Sequence, residues 1–343
     1  MKACFFKILF TALAVFALYF LILYEVRSPI AAEYWVHELI VVKRHLSADM
    51  PSPKIILLSG SNTLFGIDAS EMEKELKIPA INFGLHGGMR LEWLLDEGRS
   101  LAKPGDILLL PLEAGYYDGR DWQEWELRNV LAWNSRWVDS LSMPKRFSIF
   151  CKAGSFDMAF ELAQVKTLLL FSHGKFPERL QALEPEDKIF ARFKSEQGPP
   201  LTFAYGLKMD DHGTILGADD SQYTGPSEPM SYPSAISPMP KKLLAEFVAE
   251  MKARKVRVYF AHSPYVMDGK AGPGWEGAER KFQKEIRDLG SEVIDRREQL
   301  FFPREYFFNT KYHLNTRGKE ARTKILIEAL REKLEEQKVE PTP

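Results

Sequence analysis

The sequence predicts an α/β protein built on a parallel sheet, and three observations predict it. Short apolar runs such as Lys54–Ser59 (KIILLS) and Asp106–Leu112 (DILLLPL) have the composition of strands buried on both faces. Segments with helical spacing alternate with these runs, which is the pattern of βαβ units. A Ser/Gly turn follows the first run directly, where open α/β sheets place their sites.

The elements follow in order. Lys2 and Lys7 precede an uncharged run from Ile8 to Tyr24. As a helix that run spans about 25 Å, a little short of a hydrocarbon core of about 30 Å. Cys4, Phe5 and Phe6 lengthen the apolar stretch, and Lys7 can snorkel. The expectation is a transmembrane anchor with its basic end in the cytoplasm and everything after Glu25 outside. A cleaved signal peptide is the rival. Its small residues would be Ala31 and Ala32, but Pro29-Ile30-Ala31 is a poor A-x-A site and the run exceeds the usual apolar region of about 7–15 residues. Glu33–Leu46 carries Trp35, Leu39, Val42 and Leu46 at helical spacing and reads as a stalk or packing helix.

After Pro51-Ser52-Pro53 come a strand at Lys54–Ser59, a helix at Asp68–Leu76, a strand at Ile78–Phe83, a helix at Arg90–Leu101 and a strand at Asp106–Leu112. From Tyr116 to about Pro199 the pattern is helical and aromatic-rich, and Gly198–Pro240 is rich in Gly, Pro and Ser. Within it, Leu201–Leu207 and Thr214–Leu216 flank Asp211-His212-Gly213 as a hairpin. The alternation resumes with a helix at Lys241–Arg254, a strand at Val256–Ala261, a helix at Glu276–Leu289 and a short strand at Glu292–Asp295. A terminal amphipathic helix covers Arg317–Lys338. The expected organisation is a tip and anchor at 1–28, a stalk at 29–53, one sheet domain at 54–338 interrupted by an insertion at about 116–240, and a tail at 339–343.

Bulk properties narrow the function. The 343 residues carry 46 basic and 47 acidic side chains, a net charge of -1, which argues against bulk attraction to nucleic acid. The two cysteines, Cys4 and Cys151, form no disulfide framework and no zinc spacing, so neither a metal nor a cofactor is expected.

Three segments carry candidate chemistry. Ser59-Gly60-Ser61-Asn62 ends a strand in a turn that exposes a hydroxyl, with backbone N–H groups able to hold an oxyanion; Ser and Gly also cap helices routinely. Asn82-Phe83-Gly84-Leu85-His86-Gly87-Gly88 follows the second strand; an ordinary strand-to-helix turn explains its glycines about as well, and His86 reads as a polar loop residue. Phe308–Gly318 contains Asn309, Thr310 and His313 just before the last helix, which Asn315 or Thr316 can cap.

Together these segments resemble the SGNH-hydrolase superfamily, in particular its membrane-anchored branch of lipoteichoic-acid D-alanylation and alginate O-acetylation proteins. The resemblance covers 54–113 and 255–335 in organisation and leaves the insertion uncovered. It implies a flavodoxin-like, three-layer fold. It also implies Ser61 as nucleophile, Gly87 as an oxyanion donor and His313 as base, with Asn62 and Asn82 as further donors. The chain departs from the pattern twice. Asn309 and Thr310 stand where an acid is expected three residues before the histidine, and Glu113 stands about where an asparagine is expected after the third strand. Replacing the acid of a serine triad by Asn costs about 10⁴ in kcat, so a carboxylate such as Asp295 or Glu113 could be recruited instead. What the resemblance implies is acyl transfer or ester hydrolysis on a cell-envelope polysaccharide, beside a membrane-bound O-acyltransferase. An inactive scaffold binding glycan or that acyltransferase is the alternative, and a secreted lipase a weaker third. Tyr116, Tyr117, Trp122, Trp125, Trp133 and Trp137 could stack on sugar rings, although such a stripe more often forms core.

Overall fold

The computed structural model describes residues 2–25, 32–154, 157, 158, 160, 161, 164, 184–196, 207–225, 235–267 and 274–339. In chain order the elements begin α1 (Lys2–Glu25), α2 (Tyr34–Asp49), β1 (Ile55–Ser59), α3 (Ser61–Gly66), α4 (Ala69–Leu76), β2 (Ala80–Gly84), α5 (Leu91–Leu101) and β3 (Ile107–Leu110). The middle of the chain holds α6 (Gly115–Asp118), α7 (Glu124–Trp133), α8 (Ser135–Ser140), α9 (Met143–Ala153) and a helix at Glu186–Glu196. Two short strands follow, β4 (Lys208–Met209) and β5 (Ile215–Leu216), and then a helix at Pro238–Ala253. The last third contains β6 (Arg257–Phe260), β7 (Tyr265–Val266), a helix at Trp275–Asp288, β8 (Phe301–Phe302) and the last helix, Thr316–Val339.

The chain divides into two units, one of residues 38–120 and 186–343 and one of residues 1–37 and 121–185. The first holds a parallel sheet in the order β2-β1-β3-β6. Ile55 stands opposite Ala80 on one side and Ile107 on the other, and Leu108 opposite Val258. A parallel bridge from Phe260 to Val293 continues the order by one position. The expected strand at Glu292–Asp295 is therefore a single bridge. Every residue of β1, β2 and β3 is buried, because helices cover both faces and leave no wet side to select polar residues.

Alternate side chains sort to opposite faces. Ile55, Leu57, Ile107, Leu109 and Tyr259 pack with Met72 of α4 and with Leu326 and Leu330 of the last helix. On the other face, Leu58 lies against Gly98 of α5, and Phe247 of the helix Pro238–Ala253 closes over the same glycine. The result is an α/β/α sandwich.

Helix α2 is tied to this sheet from Glu38 onward. Lys43 is fully buried, and its ammonium nitrogen donates to the carbonyls of Asn82 (2.6 Å) and Gly84 (2.8 Å) at the end of β2. The stalk-or-packing helix is thus a packing helix over that part. The expected hairpin forms with β4 pairing antiparallel to β5 around Asp210–Gly213; residues 201–206 of its first arm lie outside the described residues. The sheet unit also takes in residues 186–240, so the second unit holds 121–185, less than the whole expected insertion.

Within the second unit, Glu33 N–H donates to Asn129 Oδ1 (2.9 Å), His37 stacks on Trp133, and Trp122 packs on Trp137 at 5.3 Å. The expected aromatic stripe therefore packs in part upon itself. Helix α1 is 24 residues long. Among the described residues no helix is long and apolar enough to cross a membrane; the side chains of α1 are described from Phe5 to Leu18.

Candidate active site

The carboxyl ends of the strands converge on one edge. β1 runs into Gly60-Ser61, β2 into Leu85-His86-Gly87, β3 into Pro111–Glu113 and β6 into His262. The strand order reverses between β1 and β3, the position where open α/β sheets form a crevice. Ser61 and Glu113 stand on its two sides.

Ser61 opens the short helix α3, with Gly60 as the preceding cap residue. Its hydroxyl oxygen is 3.5 Å from Glu113 Oε1. A Cβ placed on Gly87 would lie 3.3 Å from Ser61 Oγ and 3.1 Å from Glu113 Oε2. A Cβ on Gly60 would meet Glu113 Oε2 at 2.6 Å and Tyr116 Oη at 2.9 Å. The two glycines thus wrap the Glu113 carboxyl and bring it beside the Ser61 hydroxyl, and neither tolerates a side chain without displacing it.

Glu113 is buried, and its Oε1 accepts from Asn62 N–H (2.8 Å) and from Asn62 Nδ2 (3.1 Å). Burial pushes its pKa above the ordinary carboxylate range, against the Asn62 donors, the Arg322 charge and the Ser61 hydroxyl, which pull it down.

His313 lies in a turn closed by Thr310, whose Oγ1 accepts the His313 N–H at 3.2 Å. Its ring lies face to face on Phe65, with centroids 4.1 Å apart and an interplanar angle of 14°. Phe65 sits four residues after Ser61 on α3, so the two occupy one face of that helix. His313 Nδ1 is 2.7 Å from Asn309 Oδ1. The amide oxygen can only accept, so Nδ1 carries the proton and Nε2 is the basic nitrogen. Burial, with the nearby His86, holds the His313 pKa down at about 3, so the ring is neutral across the physiological range.

The remaining expected site residues have other work. Asn82 Nδ2 donates to the carbonyls of Thr63 and Ile67, both at 2.8 Å, and its Oδ1 accepts from Gly84 N–H, fixing α3 over β2. Asn62 Nδ2 is spent on Ser59 Oγ, Pro111 O and Glu113. Both are fully buried, with their amide nitrogens engaged inside the protein. Asp295 does not reach toward His313. Its Oδ1 is 2.6 Å from His262 Nδ1, and both carboxylate oxygens accept His262 N–H. His86 Nδ1 accepts from Gly88 N–H within its own turn. Asn315 caps the last helix, accepting Gly318 N–H at 3.0 Å.

The sequence reading missed a buried polar cluster beside the site. His262 Nε2 is 3.1 Å from Glu279, which pairs with Arg297 at 2.6 Å. Burial opposes the His262 charge, yet Asp295 and Glu279 outweigh it and raise its pKa to about 9. Arg322 joins this cluster to the site, donating to His262 O (3.0 Å), Asn62 O (2.8 Å) and Asn62 Oδ1 (2.8 Å). The position of His262 directly after a strand is a signal that could have found it; Arg322, on a helix among other charged residues, offers none. Among the described residues no group of acidic, His or Cys side chains is arranged to hold a metal ion.

Compared with family models, with curated proteins and with solved structures, the chain has no match in any of the three.

Proposed function

We propose that the chain is an SGNH-hydrolase-like acyltransferase or esterase that uses Ser61 as nucleophile and His313 as base. The observation that carries the reading is His313 with its Nδ1 proton directed to Asn309, stacked on the α3 face that begins with Ser61. A neutral imidazole with a fixed tautomer is what a general base in nucleophilic catalysis needs.

In this mechanism Nε2 of His313 takes the Ser61 proton as Oγ bonds to the carbonyl carbon of an ester or thioester. The carbonyl electrons move to oxygen, and N–H groups of Ser61 and Gly87 hold the oxyanion. Collapse expels the leaving group, which takes the proton from His313 and leaves an acyl-Ser61. A sugar hydroxyl or water then repeats the sequence in reverse and frees Ser61. The resemblance of the Ser61, Gly87 and His313 segments supports an envelope polysaccharide as acceptor and a membrane-bound O-acyltransferase as partner. In the sequence, Lys2 and Lys7 ahead of the uncharged run Ile8–Tyr24 support an anchor, with the sheet unit on the periplasmic or outer side.

A second reading is a non-catalytic domain of the same fold. It is favoured by the weak basicity of His313 and by Asn309 in place of an acid. A fluorophosphonate probe on the detergent-solubilised full chain separates the two. The proposal expects labelling that disappears in Ser61→Ala; labelling of neither protein rejects it.

A further inference from the structure

The side chains of α9 sort into a packed face, an apolar stripe and a basic face. Ile149, Phe150 and Ala153 are buried, and the helix packs on α7 of the same unit. Met143 is 58% exposed and Phe147 44% exposed. With Cys151, also exposed, they form a stripe at four-residue spacing. Lys145 and Lys152, seven residues apart, share another face, and both are exposed. Lys152 Nζ pairs with Asp121 Oδ1 at 2.6 Å, and the half-buried Arg146 donates from Nε to Leu141 O at 2.9 Å. The helix carries three basic side chains and no acidic one.

Phe147 also meets α1, which belongs to the same unit. Its ring lies edge to face against Phe16, with centroids 5.8 Å apart and 66° between the planes. Every described side chain of α1, from Phe5 to Leu18, is exposed, and Lys7 is the one charge among them. Phe16 lies nine residues before Glu25, the first charge after the apolar run. At 1.5 Å per residue that is about 13 Å along the helix. With α1 as the anchor, Phe16 therefore lies within the hydrocarbon, and a ring in contact with it cannot stand in bulk water. Interfacial amphipathic helices bury their apolar face about 5–10 Å. The separation of the two rings and the ordinary tilt of a membrane helix span the remainder.

We infer that α9 is a second membrane contact, an interfacial helix whose Met143–Phe147–Cys151 stripe enters the outer leaflet beside α1. The occupant of the stripe is phospholipid. Acyl chains cover the apolar side chains, and the two lysines on the basic face reach back to anionic headgroups. The inference rests on the reading of α1 as an anchor and goes beyond it. It gives part of the insertion a role, holding the unit of residues 1–37 and 121–185 against the bilayer by two elements instead of one.

Site-directed spin labelling of the full chain, reconstituted alone in vesicles of phosphatidylcholine and phosphatidylglycerol, tests this. Cys4→Ser leaves Cys151 as the single label site. Met143→Cys, Lys145→Cys and Leu13→Cys, each with Cys4→Ser and Cys151→Ser, place labels on the stripe, on the basic face and on α1. All four labelled positions are exposed, so the labels displace no packed side chain. Oxygen, which concentrates in hydrocarbon, and a nickel chelate, which stays in water, compete to relax each label. The expected result is loss of nickel access at Met143 and Cys151 with oxygen access retained, at a depth of about 5–10 Å. The Lys145 label should remain open to nickel, and the Leu13 label should lie in hydrocarbon.

Nickel access at Met143 and Cys151 with Leu13 in hydrocarbon overturns the inference and leaves the anchor standing. Protection of the two stripe labels from both reagents overturns it as well, since a second copy of the chain then covers the stripe. A Lys145 label as protected from nickel as the stripe also overturns it, because the helix would then be immersed rather than interfacial. Nickel access at Leu13 removes the anchor itself, and the inference falls with it.

Discussion

At the scale of single residues, the departure at Asn309 has the clearest chemical consequence. Its amide oxygen fixes the His313 tautomer at 2.7 Å but brings no charge to stabilise an imidazolium. Burial then leaves the ring with a pKa of about 3. Asn309→Asp adds a negative charge at the same distance and raises that pKa, making the base stronger. Hydrolysis of a small acetyl ester by the detergent-solubilised protein should rise about tenfold or more at neutral pH, part of the ~10⁴ that separates Asp from Asn in a serine triad. The acid limb should move up from about 3 at the same time. A slower Asn309→Asp enzyme would show that the amide is not serving as the acid's stand-in. The positions of Ser61, Gly87 and His313 at strand ends and just before the last helix were legible because each lies in a segment with its own turn or capping residues. The roles of Asn62, Asn82 and Asp295 were not, because a polar residue at a strand end looks the same whether it meets substrate or a buried carbonyl. Only three-dimensional neighbours such as Thr63, Ile67 and His262 decide it.

At the scale of elements, the strands of the sheet were readable because burial on both faces makes each an uninterrupted apolar run. The helices α4 and α5 and the last helix were found within a residue or two for a related reason, since each keeps one stripe toward the sheet. What escaped were elements held by tertiary contacts. Helix α3 is six residues long, too short to show a period, and is pinned by Asn82 from β2 and by Arg322 from the last helix. Its approach to β2 is so close that a Cβ on Gly84 would stand 2.2 Å from Leu64 N. That contact is why the second strand must end in glycine, and nothing in the local sequence distinguishes it from an ordinary turn. Strands β7 and β8 have two residues each and pair across a long stretch of chain, leaving no pattern to read.

At the scale of the whole molecule, two buried histidines of the sheet unit tie stability to pH in opposite directions. The folded pKa of His262 is raised to about 9, so its contribution is fully present below about 6.5 and is lost as pH rises through about 9. The folded pKa of His313 is lowered to about 3, so its contribution is present above about 6.5 and is lost as pH falls toward 3. Each is worth on the order of a few kcal/mol. Melting temperatures measured across pH should show wild type gaining on His262→Gln as pH falls from about 9 to 6.5. They should show wild type losing ground to His313→Gln as pH falls from about 6.5 toward 3. A pH-independent difference in either pair would refute the assigned charge state. The sequence could place both histidines on loops, but their opposite charge states come from neighbours brought in by the fold: Asp295 and Glu279 for one, burial against Phe65 and the nearby His86 for the other.

The central claim is that Ser61 and His313 act as one unit, and a double-mutant cycle on ester hydrolysis tests it most directly. Residues that share one proton-transfer step are strongly non-additive. The account predicts that Ser61→Ala and His313→Ala each lower the rate at least about 100-fold, and that the double variant is no slower than the slower single. Single losses that multiply in the double variant, or single variants as fast as wild type, would contradict it.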